Sequence, residues 1–209
     1  MEINVLHLGQ IGTNCYIFHE TGSAACGMVD PGDQGGQVAQ WLKQQGLEPE
    51  AVLLTHGHFD HILGIPGLRE TWPDLPVYCH PADTGDGDTA RVFGEDFPTV
   101  QSFGNAVPYR EGDVINAAGI DVEVLETPGH TPGSVVLRAG DVLFTGDTLF
   151  AGSMGRTDLP GGDEGQIMKS LRRLYELEGD YQVCPGHEEQ STLERERNSN
   201  YCMRMAMQA

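Results

Sequence analysis

Residues 55–61 hold four side chains of the types that bind metal ions. The segment reads Thr-His-Gly-His-Phe-Asp-His, and the candidate ligands are His56, His58, Asp60 and His61. Neutral imidazole and carboxylate suit zinc, iron and manganese. Because residues i and i+2 of an extended chain point the same way, we expect His56 and His58 to bind one ion from a strand end. Asp60 and His61 follow in a turn, where they can face a second ion.

Three further candidates each follow a glycine in a turn after a predicted strand. They are His130 in Pro-Gly-His-Thr-Pro-Gly, Asp147 in Thr-Gly-Asp-Thr and His187 in Cys-Pro-Gly-His. A glycine there lets the backbone turn sharply and approach an ion closely. Taken alone, each is more typical of a turn or a surface polar group. Together with residues 55–61 they form a set that suits two ions, each with three side chains, and one shared ligand.

The elements that must position these ligands follow from apolar periodicity. Val38, Trp41 and Leu42 recur at helical spacing, and Gly46 ends that helix. The predicted strands are residues 3–8, 15–18, 26–29, 51–54, 76–79, 114–116, 120–125, 134–137, 142–144 and 182–184. The other predicted helices are residues 63–71, 166–178 and 193–205. In the first half of the chain the predicted order is several strands, a helix, a strand and a helix. The second half repeats this order.

This order predicts an α/β protein: two mixed sheets face to face, with helices on the outer faces. No linker or charge block marks a boundary, so residues 1–209 are interpreted as a single domain. Residues 82–112 show no clear period, which is typical of a functional loop, a lid or a partly mobile segment. Within them, Asp83, Asp86 and Asp88 have a calcium-loop spacing without the later glutamate, which favours a solvated loop.

Composition narrows the function. A net charge of −19 excludes nucleic acid and anionic membrane surfaces as partners, since nothing would neutralise phosphates. No apolar run reaches the ~18 residues needed to span a bilayer, and the N-terminus has no targeting pattern. Five scattered cysteines without a Cys-x-x-Cys pair indicate a reduced protein with a cytoplasmic location.

The ordered ligand motifs resemble the metallo-β-lactamase superfamily along essentially the whole chain. The resemblance implies an αββα sandwich and assigns each ligand a role. By that assignment the first ion is held by His56, His58 and His130, the second by Asp60, His61 and His187, and Asp147 bridges both. Asp30, in Val-Asp-Pro-Gly, becomes the candidate outer partner that fixes an imidazole tautomer.

Four segments resemble the glyoxalase II group, the hydroxyacylglutathione hydrolases. They are residues 13–16 (Thr-Asn-Cys-Tyr), 54–58 (Leu-Thr-His-Gly-His), 147–150 (Asp-Thr-Leu-Phe) and 155–162 (Gly-Arg-Thr-Asp-Leu-Pro-Gly-Gly). The resemblance implies hydrolysis of a thioester such as S-D-lactoylglutathione by a hydroxide between two divalent ions, zinc first, with iron or manganese also fitting. Only 22 residues follow His187. This favours the short single-domain members over those with a C-terminal glutathione-binding domain, and leaves the thiol part of the substrate open.

Two acidic residues and one arginine receive candidate roles at the reacting centre. Asp147 would act through both ions, and Asp60 could orient the hydroxide. Arg156 could meet a substrate carboxylate, or it could be a structural residue paired with Asp158.

The residues support three other functions less well. Persulfide dioxygenases, which use a single iron, share much of the ligand pattern and the Gly-Arg-Thr-Asp segment. The Leu-Pro-Gly-Gly continuation and the complete second ligand set favour a hydrolase. A non-catalytic metal-binding protein is disfavoured by the intact ligand set. Drug-hydrolysing zinc β-lactamases are exported and usually carry a cysteine near the position of Asp147, so we do not expect that activity.

Overall fold

The computed structural model of the chain describes residues 1–84 and 105–208. Within these residues, two six-stranded sheets and a separate two-stranded pair make up the β-structure. The strands are β1 Glu2–Leu8, β2 Thr13–His19, β3 Ala25–Val29, β4 Glu48–Leu53, β5 Val77–Cys79, β6 Val107–Pro108, β7 Val114–Ala117, β8 Ile120–Glu126, β9 Val135–Ala139, β10 Val142–Gly146, β11 Leu149–Phe150, β12 Ser153–Met154, β13 Gln182–Pro185 and β14 Ser191–Thr192. The helices are α1 Gly35–Gln45, α2 Phe59–Ile62, α3 Ile65–Arg69, α4 Glu164–Tyr175, α5 Leu193–Ser199 and α6 Tyr201–Ala206.

Both large sheets are mixed, as expected. In the first, with order β1-β2-β3-β4-β5-β6, neighbours are antiparallel up to β3 and parallel from β3 to β6. In the second, with order β14-β13-β10-β9-β8-β7, only β10 and β13 run parallel. A parallel pair places two carboxyl ends at the same sheet edge. The chain segments after these ends are therefore brought together.

An apolar layer joins the inner faces of the two sheets. At its centre Phe144 of β10 packs against Tyr16 and Phe18 of β2, with ring centroids 5.3 and 5.6 Å apart. Leu53 from the first sheet and Leu137 from the second are also fully buried there. This layer fixes the distance between the sheets, and with it the distance between the loops at their ends.

Two outer cores complete the αββα sandwich. Residues of α1 to α3, such as Leu42 and Leu68, pack on the first sheet, and residues of α4 to α6, such as Leu171 and Met203, pack on the second. The predicted fold class is confirmed. In the described part of the chain, no helix has the length and apolarity needed to cross a bilayer.

Several predicted elements need correction. Asp163 caps α4 by accepting from the backbone N–H of Gln166, so the helix begins at Glu164 and ends at Tyr175 rather than covering 166–178. The helix expected over 193–205 is two helices, because Asn200 is extended at φ −70° and ψ 117° and caps the second of them.

Apolar periodicity could not predict several other elements. Strands β6, β11, β12 and β14 have two residues each and are too short to show one. Most of the segment interpreted as a loop or lid, residues 85–104, lies outside the described residues, with Asp86 and Asp88 among them.

A close backbone contact joins α1 to Gly64, which lies between α3 and α2, the helix that carries Asp60 and His61. A Cβ on Gly35 would overlap the carbonyl oxygen of Gly64, the residue that precedes α3. The neighbouring Gly36 has open space where its Cβ would stand. The backbone N–H of Gly64 donates to Pro31 at 2.8 Å, just beyond Asp30.

We expect Gly35→Ala to lower the free energy of unfolding by about 1–3 kcal/mol, because the added methyl must push two backbone segments apart. Gly36→Ala is the matched control, and we expect it to be neutral or stabilising by up to ~1 kcal/mol through reduced unfolded-state entropy. Urea unfolding of both variants measures the difference. Equal effects of the two substitutions would show that the α1–α3 contact is not tight.

Candidate metal site

All seven predicted ligands lie at one edge of the sandwich, on loops that leave the strand ends or, for Asp60 and His61, in α2. His56 and His58 follow β4, and the loop between β8 and β9 carries His130. Asp147 follows β10, and His187 follows β13. β4 ends at Leu53, so the histidine pair follows the strand end, as the predicted strand over 51–54 implies.

Three histidines form the first cluster. His56, His58 and His130 are buried, and each offers a ring nitrogen within 4.8 Å of the others. His58 Nδ1 and His130 Nε2 are 2.8 Å apart. The structure thus brings together the three residues expected to share the first ion.

The second cluster joins Asp60 and His61 of α2 to His187, again with donor atoms within 4.8 Å of one another. Asp147 lies between the clusters. Its Oδ2 is 3.4 Å from His130 Nε2 and 3.6 Å from His187 Nε2, and its Oδ1 is 3.4 Å from His61 Nε2. A single carboxylate therefore faces imidazoles of both clusters.

The glycine before His187 makes this approach possible. A Cβ on Gly186 would stand 2.7 Å from Cε1 of His61 and would overlap Oδ1 of Asp147. The loop after β13 can therefore approach the other ligands only because residue 186 has no side chain.

Hydrogen bonding around the clusters shows that these residues fit metal ions. His130 Nδ1 lies 2.7 Å from the carbonyl oxygen of Arg156, so this nitrogen donates and the neutral ring presents a lone pair at Nε2. That lone pair faces Asp147. His56 Nε2, His61 Nε2 and Asp147 Oδ1 are buried without a hydrogen-bond partner. Buried polar atoms are seldom left unsatisfied, and lone pairs that converge in this way suit a divalent cation.

Burial and the charges of neighbouring ligands together shift the pKa values of these groups. Burial lowers the pKa of His56 well below its usual range, so this imidazole is neutral at pH 7, the form that binds metals. Burial opposes ionisation of Asp147, yet the neighbouring His61 lowers its pKa well below the usual range. Burial also opposes a charge on His61, but the carboxylates of Asp60 and Asp147 raise its pKa well above normal. The buried carboxylates of the site are therefore stabilised by positive charge, which a proton on His61 or a metal ion can provide.

Asp30 orients the imidazole of His61 through a hydrogen bond at Nδ1, the ring nitrogen that does not face the second cluster. Its Oδ2 lies 2.9 Å from His61 Nδ1 and accepts from the Thr55 hydroxyl at 2.6 Å, and its Oδ1 accepts from the Thr55 backbone N–H at 2.8 Å. Because Nδ1 of His61 donates to this carboxylate, Nε2 is left to face the second cluster. Asp30 thereby connects the first loop of the site to the imidazole of α2.

The motif Thr-Asn-Cys-Tyr has a structural role that sequence reasoning did not assign. The side-chain amide of Asn14 donates to the carbonyl oxygens of Pro185 and Glu188, both at 3.0 Å, and the Tyr16 hydroxyl donates to Pro185 at 2.7 Å. Glu188 has a left-handed φ of 66°. These buried bonds hold the loop of His187 in place. The signal that could have revealed them is the pair Asn14 and Tyr16, two hydrogen-bonding side chains at i and i+2 and therefore on one face of a strand.

A cavity of about 450 Å³ opens onto Asp60 and Asp147. Its apolar wall includes Ile11, Phe150, Met154 and Leu159, and Arg156 lies at its margin. Arg156 forms two hydrogen bonds with Asp158, at 2.6 and 2.7 Å, and both side chains are exposed. The expected pairing of this arginine is therefore present beside the cavity.

Comparison with known proteins places the chain in a family. A family model described as the metallo-β-lactamase superfamily matches residues 8–187. The chain belongs to this superfamily. It is a superfamily of metal-dependent hydrolases that bind divalent metal ions through histidine and aspartate clusters of the kind described above. The predicted resemblance is confirmed at the level of the superfamily.

Two curated relatives are similar to this chain over most of its length. The chain is 35% identical over 210 residues to the probable metallo-hydrolase YqgX of Bacillus subtilis, with 96% of each chain covered. It is 40% identical over 163 residues to the hydroxyacylglutathione hydrolase of Xylella fastidiosa, covering 77% of this chain but 54% of that relative.

Three solved structures share the fold. The B3 metallo-β-lactamase BLEG-1 has a TM-score of 0.88 at 31% identity, covering 97% of this chain and 99% of its own. TTHA1623 in a di-iron-bound form has a TM-score of 0.81 at 37% identity, covering 95% and 98%. ETHE1 from Myxococcus xanthus has a TM-score of 0.80 at 27% identity, covering 96% and 84%. The similar proteins include a hydroxyacylglutathione hydrolase and a B3 metallo-β-lactamase, so the substrate must be argued from the site.

We expect Asn14→Ala to lower the free energy of unfolding by about 1–2 kcal/mol, because the two hydrogen bonds from its amide to the loop of His187 are lost. Asn116→Ala is the matched control. Its amide also forms a side-chain hydrogen bond, to Asp121 at 2.7 Å, but on the exposed hairpin of β7 and β8, so we expect a change within ~0.5 kcal/mol. Denaturant unfolding distinguishes them. An Asn14→Ala variant as stable as the control would mean that the loop of His187 is held by other contacts.

Proposed function

We propose that this protein is a binuclear metallohydrolase that cleaves a thioester of the S-D-lactoylglutathione class. The observation that carries the proposal is the carboxylate of Asp147, placed between two buried histidine clusters whose lone pairs converge on it. In this proposal the first ion is held by His56, His58 and His130, the second by Asp60, His61 and His187, and Asp147 is shared.

Two bound divalent ions, zinc, iron or manganese, would supply a hydroxide at neutral pH, because metal coordination lowers the pKa of water toward ~7. The chain's own residues hold and orient the reactants. Asp60 accepts from the Thr13 hydroxyl at 3.2 Å and lies 3.2 Å from His187 Nε2. Burial opposes its ionisation, but the nearby His61 lowers its pKa. Asp60 is therefore an anion at neutral pH and can accept a hydrogen bond from the attacking nucleophile.

The cavity supports an acyl substrate with one apolar side. Ile11, Phe150, Met154 and Leu159 can exclude water from the thioester carbon. A thiolate is a good leaving group, so hydrolysis of a thioester needs no strong general acid. Arg156 is exposed beside the cavity, where its guanidinium could exchange Asp158 for a substrate carboxylate.

The relatives support a glutathione-derived substrate. The relative that is a hydroxyacylglutathione hydrolase is 40% identical over the matched region. The four glyoxalase II segments lie at the site itself. Residues 13–16 hold the loop of His187, residues 54–58 include two histidines of the first cluster, and residues 147–150 and 155–162 each contribute two side chains to the lining of the cavity.

Persulfide dioxygenation with a single iron is the second candidate. The observation that favours it is residues 155–158, Gly-Arg-Thr-Asp, whose arginine lies at the cavity margin. The second cluster of Asp60, His61 and His187 favours the hydrolase, since a mononuclear centre does not need it. Similarity to BLEG-1 makes β-lactam hydrolysis a third activity that the assay should include.

We expect metal-replete protein to hydrolyse S-D-lactoylglutathione. The reaction is measured as the loss of thioester absorbance. Asp147→Asn should reduce kcat/KM by more than ~100-fold, because changes to outer partners of a metal site alone cost 10–100-fold. Asp141→Asn, an exposed position in the turn at the other end of β10, is the matched control and should keep full activity. Chelator should abolish hydrolysis, and added zinc should restore it.

A protein that leaves this thioester intact contradicts the proposal. Oxygen uptake with glutathione persulfide would then indicate the dioxygenase, and loss of a chromogenic cephalosporin would indicate a β-lactamase. Hydrolysis that survives Asp147→Asn would contradict the assigned role of the shared carboxylate even if the substrate were right.

A further inference from the structure

Asp83 joins the two loops that supply the first histidine cluster. It lies in the turn after β5 and is half-buried. Its carboxylate accepts three hydrogen bonds: from the backbone N–H of Gly57 at 3.0 Å, from the Thr131 hydroxyl at 2.6 Å and from the backbone N–H of Gly133 at 2.8 Å. The sequence-based interpretation of Asp83 as a solvated loop residue is therefore wrong. The reason is long-range: all three donors come from segments distant in sequence.

These donors are neighbours of ligands. Gly57 lies between His56 and His58, and Thr131 directly follows His130. One carboxylate thus ties the loop of His58 to the loop of His130. The two ring nitrogens that must share an ion, His58 Nδ1 and His130 Nε2, are 2.8 Å apart.

The fit around Asp83 is close on two sides. A Cβ on Gly133 would stand 2.6 Å from the carboxyl carbon of Asp83, and a Cβ on Gly57 would overlap its carbonyl oxygen. Glycine at both positions lets the carboxylate reach the two backbone N–H groups directly. The Ser134 hydroxyl lies 2.7 Å from that of Thr131. When Ser134 donates in this pair, the Thr131 hydroxyl keeps its own proton for the hydrogen bond to Asp83.

We propose that Asp83 is a positioning residue that sets the separation of His58 and His130 and thereby the affinity of the first metal ion. The proposal rests on the metal site proposed above. Hydrogen bonds to a charged acceptor are roughly twice as strong as neutral ones, so this carboxylate can hold two loops whose ligands would otherwise repel. The second cluster has a different partner, Asp30 on His61, and does not depend on Asp83.

A purely structural carboxylate elsewhere in the chain provides the matched control. Asp180 accepts from the backbone N–H groups of Tyr181 at 2.9 Å and Glu194 at 2.8 Å. It therefore joins two segments as Asp83 does, because it links the residues just before β13 to the first turn of α5. Asp180 and Glu194 are exposed.

The test is a zinc titration of metal-free protein against a chromophoric chelator, with a melting curve for every variant. His130→Ala and His187→Ala assign the two binding steps to the first and second clusters. We expect Asp83→Ala to weaken the first step by roughly 10–100-fold, the usual effect of removing an outer partner of a metal ligand. The second step should be unchanged. Asp180→Ala should lower the melting temperature without moving either step.

Two milder variants cover the case in which Asp83→Ala does not fold. Asp83→Asn keeps the size but has one accepting oxygen, so its first step should fall between those of wild type and Ala. Thr131→Val removes one donor and should weaken the same step. Equal weakening of both steps, or a first step unchanged in the folded variants, would overturn the role of Asp83. A wild-type protein that binds no zinc, iron or manganese would instead contradict the proposed metal site.

Discussion

The rest of the structure depends on one electrostatic constraint, the convergence of buried lone pairs on the carboxylate of Asp147. Imidazole nitrogens of His61, His130 and His187 lie within 3.6 Å of its oxygens. His56 Nε2 and His61 Nε2 have no hydrogen-bond partner. Such an arrangement is costly in a low-dielectric interior unless positive charge is bound there. Divalent metal ions satisfy the constraint, and they are what the donor set suits.

The two packed sheets hold five loops close together at the site, despite the electrostatic cost of the converging lone pairs. Phe144 and the aromatic rings of β2 fix the spacing of the sheets, and parallel β10 and β13 deliver two ligand loops to one edge. Several of these loops are also held by polar anchors. Asp30 serves His61, Asn14 serves the loop of His187, and Asp83 spans the loops of His58 and His130. These hydrogen bonds are made by protein groups alone, and such bonds preorganise the ligands and lower the conformational cost of binding.

The ligand types and the layered fold were predictable from the sequence because they leave local signals. The segment His-Gly-His-Phe-Asp-His is compact, and a glycine precedes each later ligand. Apolar periodicity likewise revealed α1 and most strands. The predictions failed where tertiary contacts decide the outcome. The break at Asn200 and the role of Asp83 depend on partners far away in sequence, such as Ser153 and Gly57. No local pattern can show these partners.

The central claim is that two ions share Asp147, and anomalous diffraction tests it most directly. Crystals of metal-replete protein, measured on both sides of the metal absorption edge, would place every bound ion without reference to activity. The account predicts two anomalous peaks on either side of the Asp147 carboxylate, one among His56, His58 and His130 and one among Asp60, His61 and His187. A single peak confined to the three histidines of the first cluster would contradict it.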